Sequence, residues 1–352
     1  MRILARLLVL CLALSSVPSF AAMVADLYQV REPIASQTPE ERNAALTRAF
    51  DTLVLRLSGD AKAAQSPALA AVRKDPQQVV SQYGYEGQEL VVDFDPASTE
   101  RSLRQAGVPL WGANRPAILA WWLNTSSEGN SLVGDGQPSA ESLQRAAQHR
   151  GLPLRLPLAD LDEQLVGTPE NLTAAQPDAL RQASERYAAD ALLAVDAQED
   201  GGQWQAQWRL WLGDSREQGS AQGSDAGSLA DAVMLAVSER LAPRFVVAPG
   251  AASGGALTLE VQGADLARYA ELSRLLEPFG ARLQQVAGDR LIYQVNASAE
   301  QLRAQLALAH LQEVAAPAPA PAPTPAAEAP GEGAALPAVP AAPRGDVLHF
   351  RW

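Results

Sequence analysis

The chain has 352 residues, 47% of them hydrophobic, which at roughly 150 residues per domain predicts two or three domains with cores of their own. Its 28 Lys and Arg against 40 Asp and Glu give a formal charge of −12, which excludes the basic footprint of a nucleic-acid binder. One cysteine excludes a disulfide scaffold and a cysteine-based zinc site.

The first twenty-one residues read as a secretory signal peptide. Arg2 and Arg6 form a positive start, Leu7 to Leu14 an apolar stretch, and Ser19-Phe20-Ala21 a small-residue site with cleavage after Ala21. Leu10 precedes Cys11 and the apolar stretch surrounds it, so a lipoprotein acylation site is rejected. Cleavage would remove the cysteine, Arg2 and Arg6, leaving 26 basic against 40 acidic residues, a charge of −14. No later run reaches about 18 apolar residues. The expectation is a soluble protein of the periplasm with no transmembrane span after cleavage.

An N-terminal α+β domain is expected over 22–124. Val24 to Val30 reads as a strand. Thr38-Pro39-Glu40-Glu41 has capping-box spacing with proline at the first helical position, and Ala45, Leu46, Ala49, Leu53, Val54 and Leu57 form one apolar stripe ended by Gly59. Leu90 to Phe94 is a buried strand, Ser98 to Ala106 a short helix stopped by Gly107, and Pro116 to Leu123 an apolar strand covered on both faces.

A middle α+β domain is expected over 125–247. Ser126 to Gln137, rich in Gly, Ser and Asn, reads as a linker or surface loop. Ser139 to Arg150 is an amphipathic helix, and Leu152 to Leu158 an edge strand at best because of its prolines. Asp178 to Tyr187 is helical and Ala191 to Val195 a buried strand. Trp204 to Leu212 alternates with period two, and Ser228 to Leu241 is a helix.

Residues 252–314 follow the order βαββα, with strands at Leu257 to Val261, Ala281 to Val286 and Arg290 to Val295. The order matches a ferredoxin-like unit lacking its last strand. Residues 315–345 are almost entirely Ala, Pro, Gly and Glu and read as a disordered linker. Residues 346–352 alternate as a strand, expected to return and complete the third sheet. The fold class is therefore α+β, with three small two-layer domains and a Pro/Ala-rich tether.

Several stretches together resemble a bacterial envelope family. They are the Tyr28 strand, Leu55-Arg56-Leu57-Ser58-Gly59, Tyr83-Gly84-Tyr85, Val92-Asp93-Phe94, and Trp111-Gly112 followed by Arg115-Pro116. In this order they are similar to domain of unknown function 2066 (DUF2066). The resemblance implies a proteobacterial envelope protein and brings no activity or site residues with it. The middle segment, with Arg186 to Val195 feeding a Trp-rich strand, is also similar to the TolB-amino-terminal-like modules of envelope proteins.

No catalytic constellation stands out. His149, His310 and His349 lack metal-ligand spacing, and no GxSxG, Walker lysine or GxGxxG follows a strand, so no cofactor or metal is expected. Asp93 and Asp95 could pair as acid and base, but Pro96 follows at once, which makes Asp95 a turn or helix-start residue. Asp160, Asp162 and Glu163 read as a solvated loop cluster. The aromatic residues give the binding candidates: Trp111 in a loop beside Arg115, and Trp204 with Trp208 on one face of a strand. The leading expectation is a non-catalytic accessory protein that binds another envelope protein or assembly. The alternative is a peptidoglycan or glycan binder using exposed tryptophans, and a hydrolase built on Asp93 ranks last.

Overall fold

The computed structural model describes residues 24, 26–248, 257–314 and 347–352. The expected signal peptide and the linker at 315–345 lie outside the described residues. The described residues contain ten α-helices and three sheets, an α+β architecture. They gather into two compact units: Met1–Ala106 with Trp111–Pro243, and Gly107–Leu110 with Arg244–Trp352.

The first unit holds two sheets. It opens with β1 (Gln29–Pro33) and the long helix α1 (Pro39–Ser58). Thr38 caps α1 by accepting from the Glu41 N–H, Pro39 stands at its start, and Gly59 ends it at φ 68°, a left-handed cap that favours glycine. A short helix, α2 (Ala70–Lys74), leads to the hairpin β2 (Val80–Glu86) and β3 (Glu89–Phe94), then α3 (Pro96–Gln105). The sheet order is β1-β3-β2, all antiparallel, with α1 lying on β1 and β3. The strand expected from Val24 begins only at Gln29.

The second sheet begins with β4 (Ile118–Ser126) and β5 (Gly129–Leu132). Next come α4 (Ala140–Arg150), β6 (Leu154–Arg155), and three short helices: α5 (Leu161–Val166), α6 (Pro169–Thr173) and α7 (Asp178–Ser184). Strands β7 (Ala191–Asp200), β8 (Gln203–Leu212) and β9 (Ser215–Gly223) and helix α8 (Ala226–Phe245) complete it. The order is β5-β4-β7-β8-β9, with β6 beside the start of β4. β4 and β7 are parallel, and six successive residues of β4, Ile118 to Leu123, are buried, as their unbroken apolar run requires.

Two sequence expectations change here. The stretch after Ser126 is not a linker: β5 folds back on β4 with Ser126 opposite Gly129. A domain boundary between residues 124 and 125 therefore falls inside a hairpin. Polar composition concealed β5, because a strand paired to a central apolar neighbour needs few apolar residues of its own. The same holds for β9, whose Ser, Gln and Gly residues carry no hydrophobic period.

The second unit contains β10 (Leu257–Gln262), α9 (Leu266–Leu276), the hairpin β11 (Arg282–Ala287) and β12 (Arg290–Val295), α10 (Ala299–Leu308), β13 (Gln312–Glu313) and β14 (Val347–Arg351). Ser298 caps α10 in a full capping box with Gln301. Leu272, Leu276, Leu302 and Leu306 of the helices meet Leu259, Val261, Tyr293 and Val295 of the sheet in one core. The terminal strand does enter this sheet, but not at its edge. The order is β11-β12-β10-β14-β13, so β14 lies between β10, to which it is parallel, and β13, to which it is antiparallel. Leu348 and Phe350 reach the same core.

Candidate interaction surface

The four aromatic and arginine candidates do not form an exposed site. Trp111 and Arg115 are together, with the guanidinium 4.2 Å from the indole centroid, but both are fully buried. Arg115 uses all five of its N–H donors on main-chain carbonyls. Nε donates to Gly112 O, Nη1 to Arg150 O and Gly151 O, and Nη2 to Arg56 O and Trp111 O. Arg56 is in the last turn of α1, Arg150 ends α4 with Gly151 as its cap, and Trp111 and Gly112 lie in the loop between α3 and β4. The cation thus sits where helix C-termini are electronegative. Burial, and then the nearby Arg56, push its pKa down to about 9. Arg56 makes a similar clamp on the carbonyls of Asp26, Leu27 and Gln29, and burial lowers it to about 10. The sequence placed Trp111 and Arg115 at a contact surface because a loop is usually exposed; here the loop is drawn inward by the arginine's five acceptors.

Trp208 is buried as well, and Trp204 is half-buried. Trp208 lies over Gly219 of β9, where an added Cβ would come within 2.5 Å of the ring. Glycine thus leaves room for the indole, and the ring fills the surface that glycine leaves bare. Trp211 packs with Trp121 and Leu119 on the opposite face. Trp208, Trp211 and Trp121 are thus core residues on the two faces of the sheet.

The carboxylates also have structural posts. Asp95 caps α3 by accepting from Ser98 N, and Asp93 accepts from the amides of Gln29 and Gln82. His149 Nε2 lies 3.4 Å from buried Glu32 and 3.3 Å from Thr52 Oγ1, both on the same ring nitrogen, so it does not relay between them.

A different group of residues does reach the surface as an apolar cluster. Leu158, Leu161 and Leu165 are 65%, 73% and 71% exposed. Leu161 and Leu165 are four apart on α5, which puts them on one helix face. Leu158 precedes the helix by one loop residue and the cap. The support beneath them is dense. Ala159 is buried at φ 54°, an unusual conformation for a residue with a side chain, and it closes against Gly134, where an added Cβ would lie 2.7 Å away. With Ala159 held in the core, Leu158 is turned outward. Leu158 N donates to the Tyr187 hydroxyl, and Gln164 Nε2 donates to Ala159 O. Asp160 caps α5 by accepting from Glu163 N, and it pairs with Arg186 at 2.7 Å. The Glu163 bond first, and Arg186 second, hold the Asp160 carboxyl below its usual range.

Glu163 is buried, accepts from the Tyr187 hydroxyl at 2.5 Å, and contacts Arg186. Burial, and then this bond, raise the Tyr187 pKa. The expected solvated loop cluster of Asp160, Asp162 and Glu163 is thus the first turn of a helix with one carboxylate inside. Asp160 and Glu163 have capping-box spacing, and that was the available signal; α5, at six residues, is too short to show a stripe.

Against known proteins, a family model described as a domain of unknown function (DUF8605) matches residues 21–112. No curated protein matches the chain. No solved structure matches it either. The match corrects the resemblance to DUF2066, since most of the residues that carried it fall within 21–112. Of those residues Leu57, Val92 and Trp111 are buried, and Tyr83 is exposed.

Proposed function

We propose that this protein is an exported, non-catalytic accessory protein of the periplasm that binds another envelope protein or assembly. The N-terminal pattern of Arg2, Arg6, Leu7 to Leu14 and Ser19 to Ala21 supports export. No helix among the described residues is long and apolar enough to cross a membrane. The observation that carries the binding reading is the Leu158–Leu161–Leu165 cluster. The backbone that carries these exposed leucines is held by a positive-φ residue, a cap and a buried carboxylate before any partner arrives, so binding there costs little backbone ordering entropy. The glycan alternative relied on exposed tryptophans, and Trp111 and Trp208 are buried.

The test is site-specific photocrosslinking in intact cells from position 161, with exposed Tyr83 as the comparison site, after fractionation of the envelope. A discrete adduct with an envelope protein from position 161 but not from 83 is the expected result. Recovery of the chain in the cytoplasmic fraction, or identical adducts from both positions, would overturn the reading.

A further inference from the structure

The leucine cluster is small. Two of its residues lie one helical turn apart, about 6 Å along the axis, and the third stands three residues before the first in the chain. A standard protein interface engages about 20–30 residues on each side. Three leucines on a fixed backbone therefore suit a short segment that inserts its own apolar side chains.

Charge narrows the choice. Without residues 1–21 the first unit carries 18 Lys and Arg against 30 Asp and Glu, a net −12, whereas the second carries 8 against 10, a net −2. The strongly acidic unit is the one that presents the leucines. Close to them, α5 itself carries Asp162 and Glu163 and no basic residue, and Asp160 caps it. From Arg155 to Tyr187 there are six acidic residues (Asp160, Asp162, Glu163, Glu170, Asp178 and Glu185) against Arg155, Arg181 and Arg186. Arg186 pairs with Asp160 and with buried Glu163, so these charges offset one another, and Asp162 is the exposed carboxylate of α5 that has no ion pair among the described residues. A second copy would bring another net −12 against the first, and an anionic lipid surface would likewise be repelled. A partner with basic residues around its apolar ones is attracted from a distance and matched on contact.

Resting on the reading of this cluster as the docking surface, we infer that its partner is a short cationic amphipathic segment, with apolar side chains on the leucines and Lys or Arg beside Asp162.

The full chain is titrated with a fluorescently labelled synthetic Leu/Lys amphipathic peptide, with its Leu/Glu counterpart, and with phosphatidylglycerol vesicles. The Leu/Lys peptide should bind saturably and more weakly as salt rises, and the Leu/Glu peptide should not bind. Leu161→Ser with Leu165→Ser should weaken the Leu/Lys peptide by about tenfold or more. Asp162→Asn should weaken it as well, with the far-UV circular dichroism spectrum unchanged. Equal affinity of the Leu161→Ser/Leu165→Ser variant would mean diffuse charge attraction and would overturn the inference. So would equal binding of the two peptides, binding to the vesicles, or self-association that the same variant abolishes. If any of these occurs while the position-161 adduct in cells persists, the docking reading stands and only the cationic partner fails.

Discussion

Replacing Arg115 tests how the first unit is held together. Its five donors meet five carbonyls at 2.7–3.1 Å in a fully buried site. Lysine in its place keeps the charge but brings three donors and no planar fork, so at least two carbonyls are left without a partner. Each orphaned buried group costs about 1–3 kcal/mol, which puts Arg115→Lys at about 2–6 kcal/mol. Whole domains are stable by only about 5–15 kcal/mol, so this is a large fraction. Arg115→Met removes all five bonds and should cost more than Arg115→Lys. Urea unfolding followed by tryptophan fluorescence measures both, and Trp111, stacked on the guanidinium, makes the signal sensitive to the site. A loss below about 0.5 kcal/mol for lysine would refute the accounting, being no more than a surface change. A methionine variant more stable than the lysine variant would show that the buried charge, not the lost bonds, governs the site.

Three further outcomes follow from the packing. Gly219→Ala drives a Cβ to within 2.5 Å of the Trp208 ring and should cost about 1–3 kcal/mol in denaturant unfolding, with the Trp emission shifted. Removing residues 346–352 strips Leu348 and Phe350 from the core of the second unit and should lower its thermal midpoint; Phe350→Ala alone should cost about 3–5 kcal/mol. The helix caps Asp95, Asp160 and Asp225 all have pKa values below 3.8, held there chiefly by hydrogen bonds from Ser98, Glu163 and Ser228 respectively. A carboxylate with a depressed folded-state pKa contributes stability above its unfolded value and loses it as pH falls through the folded one. Stability should therefore drop on acidification below about pH 3.8, and the Asp→Asn triple variant, still capped, should show a flatter acid limb.

What the sequence disclosed and what it hid divides by range. Helix α1 was readable because Thr38, Glu41 and Gly59 act within a turn of the helix ends. β4 was readable because an unbroken apolar run has few uses other than a central strand. The burial of Trp111 was not readable, because it depends on Arg115 meeting carbonyls at residues 56, 150 and 151, which no local pattern announces. The exposed leucines were hidden for the opposite reason: Leu161 and Leu165 look like core residues until the helix beneath them is known to be already seated by Ala159, Glu163 and Tyr187. The terminal strand was expected in the third sheet, but its parallel insertion between β10 and β13 is set by the pairing of distant strands.

That insertion has a consequence in time. β10 is complete at Gln262, yet its parallel partner begins at Val347, 85 residues later. At about 5–20 residues per second, synthesis takes roughly 4–17 s to reach it. Through that interval one edge of β10 has no neighbour, and β13 has nothing to pair with. The second unit cannot close its sheet while it is being made, and any factor that shields a bare strand edge has its window then.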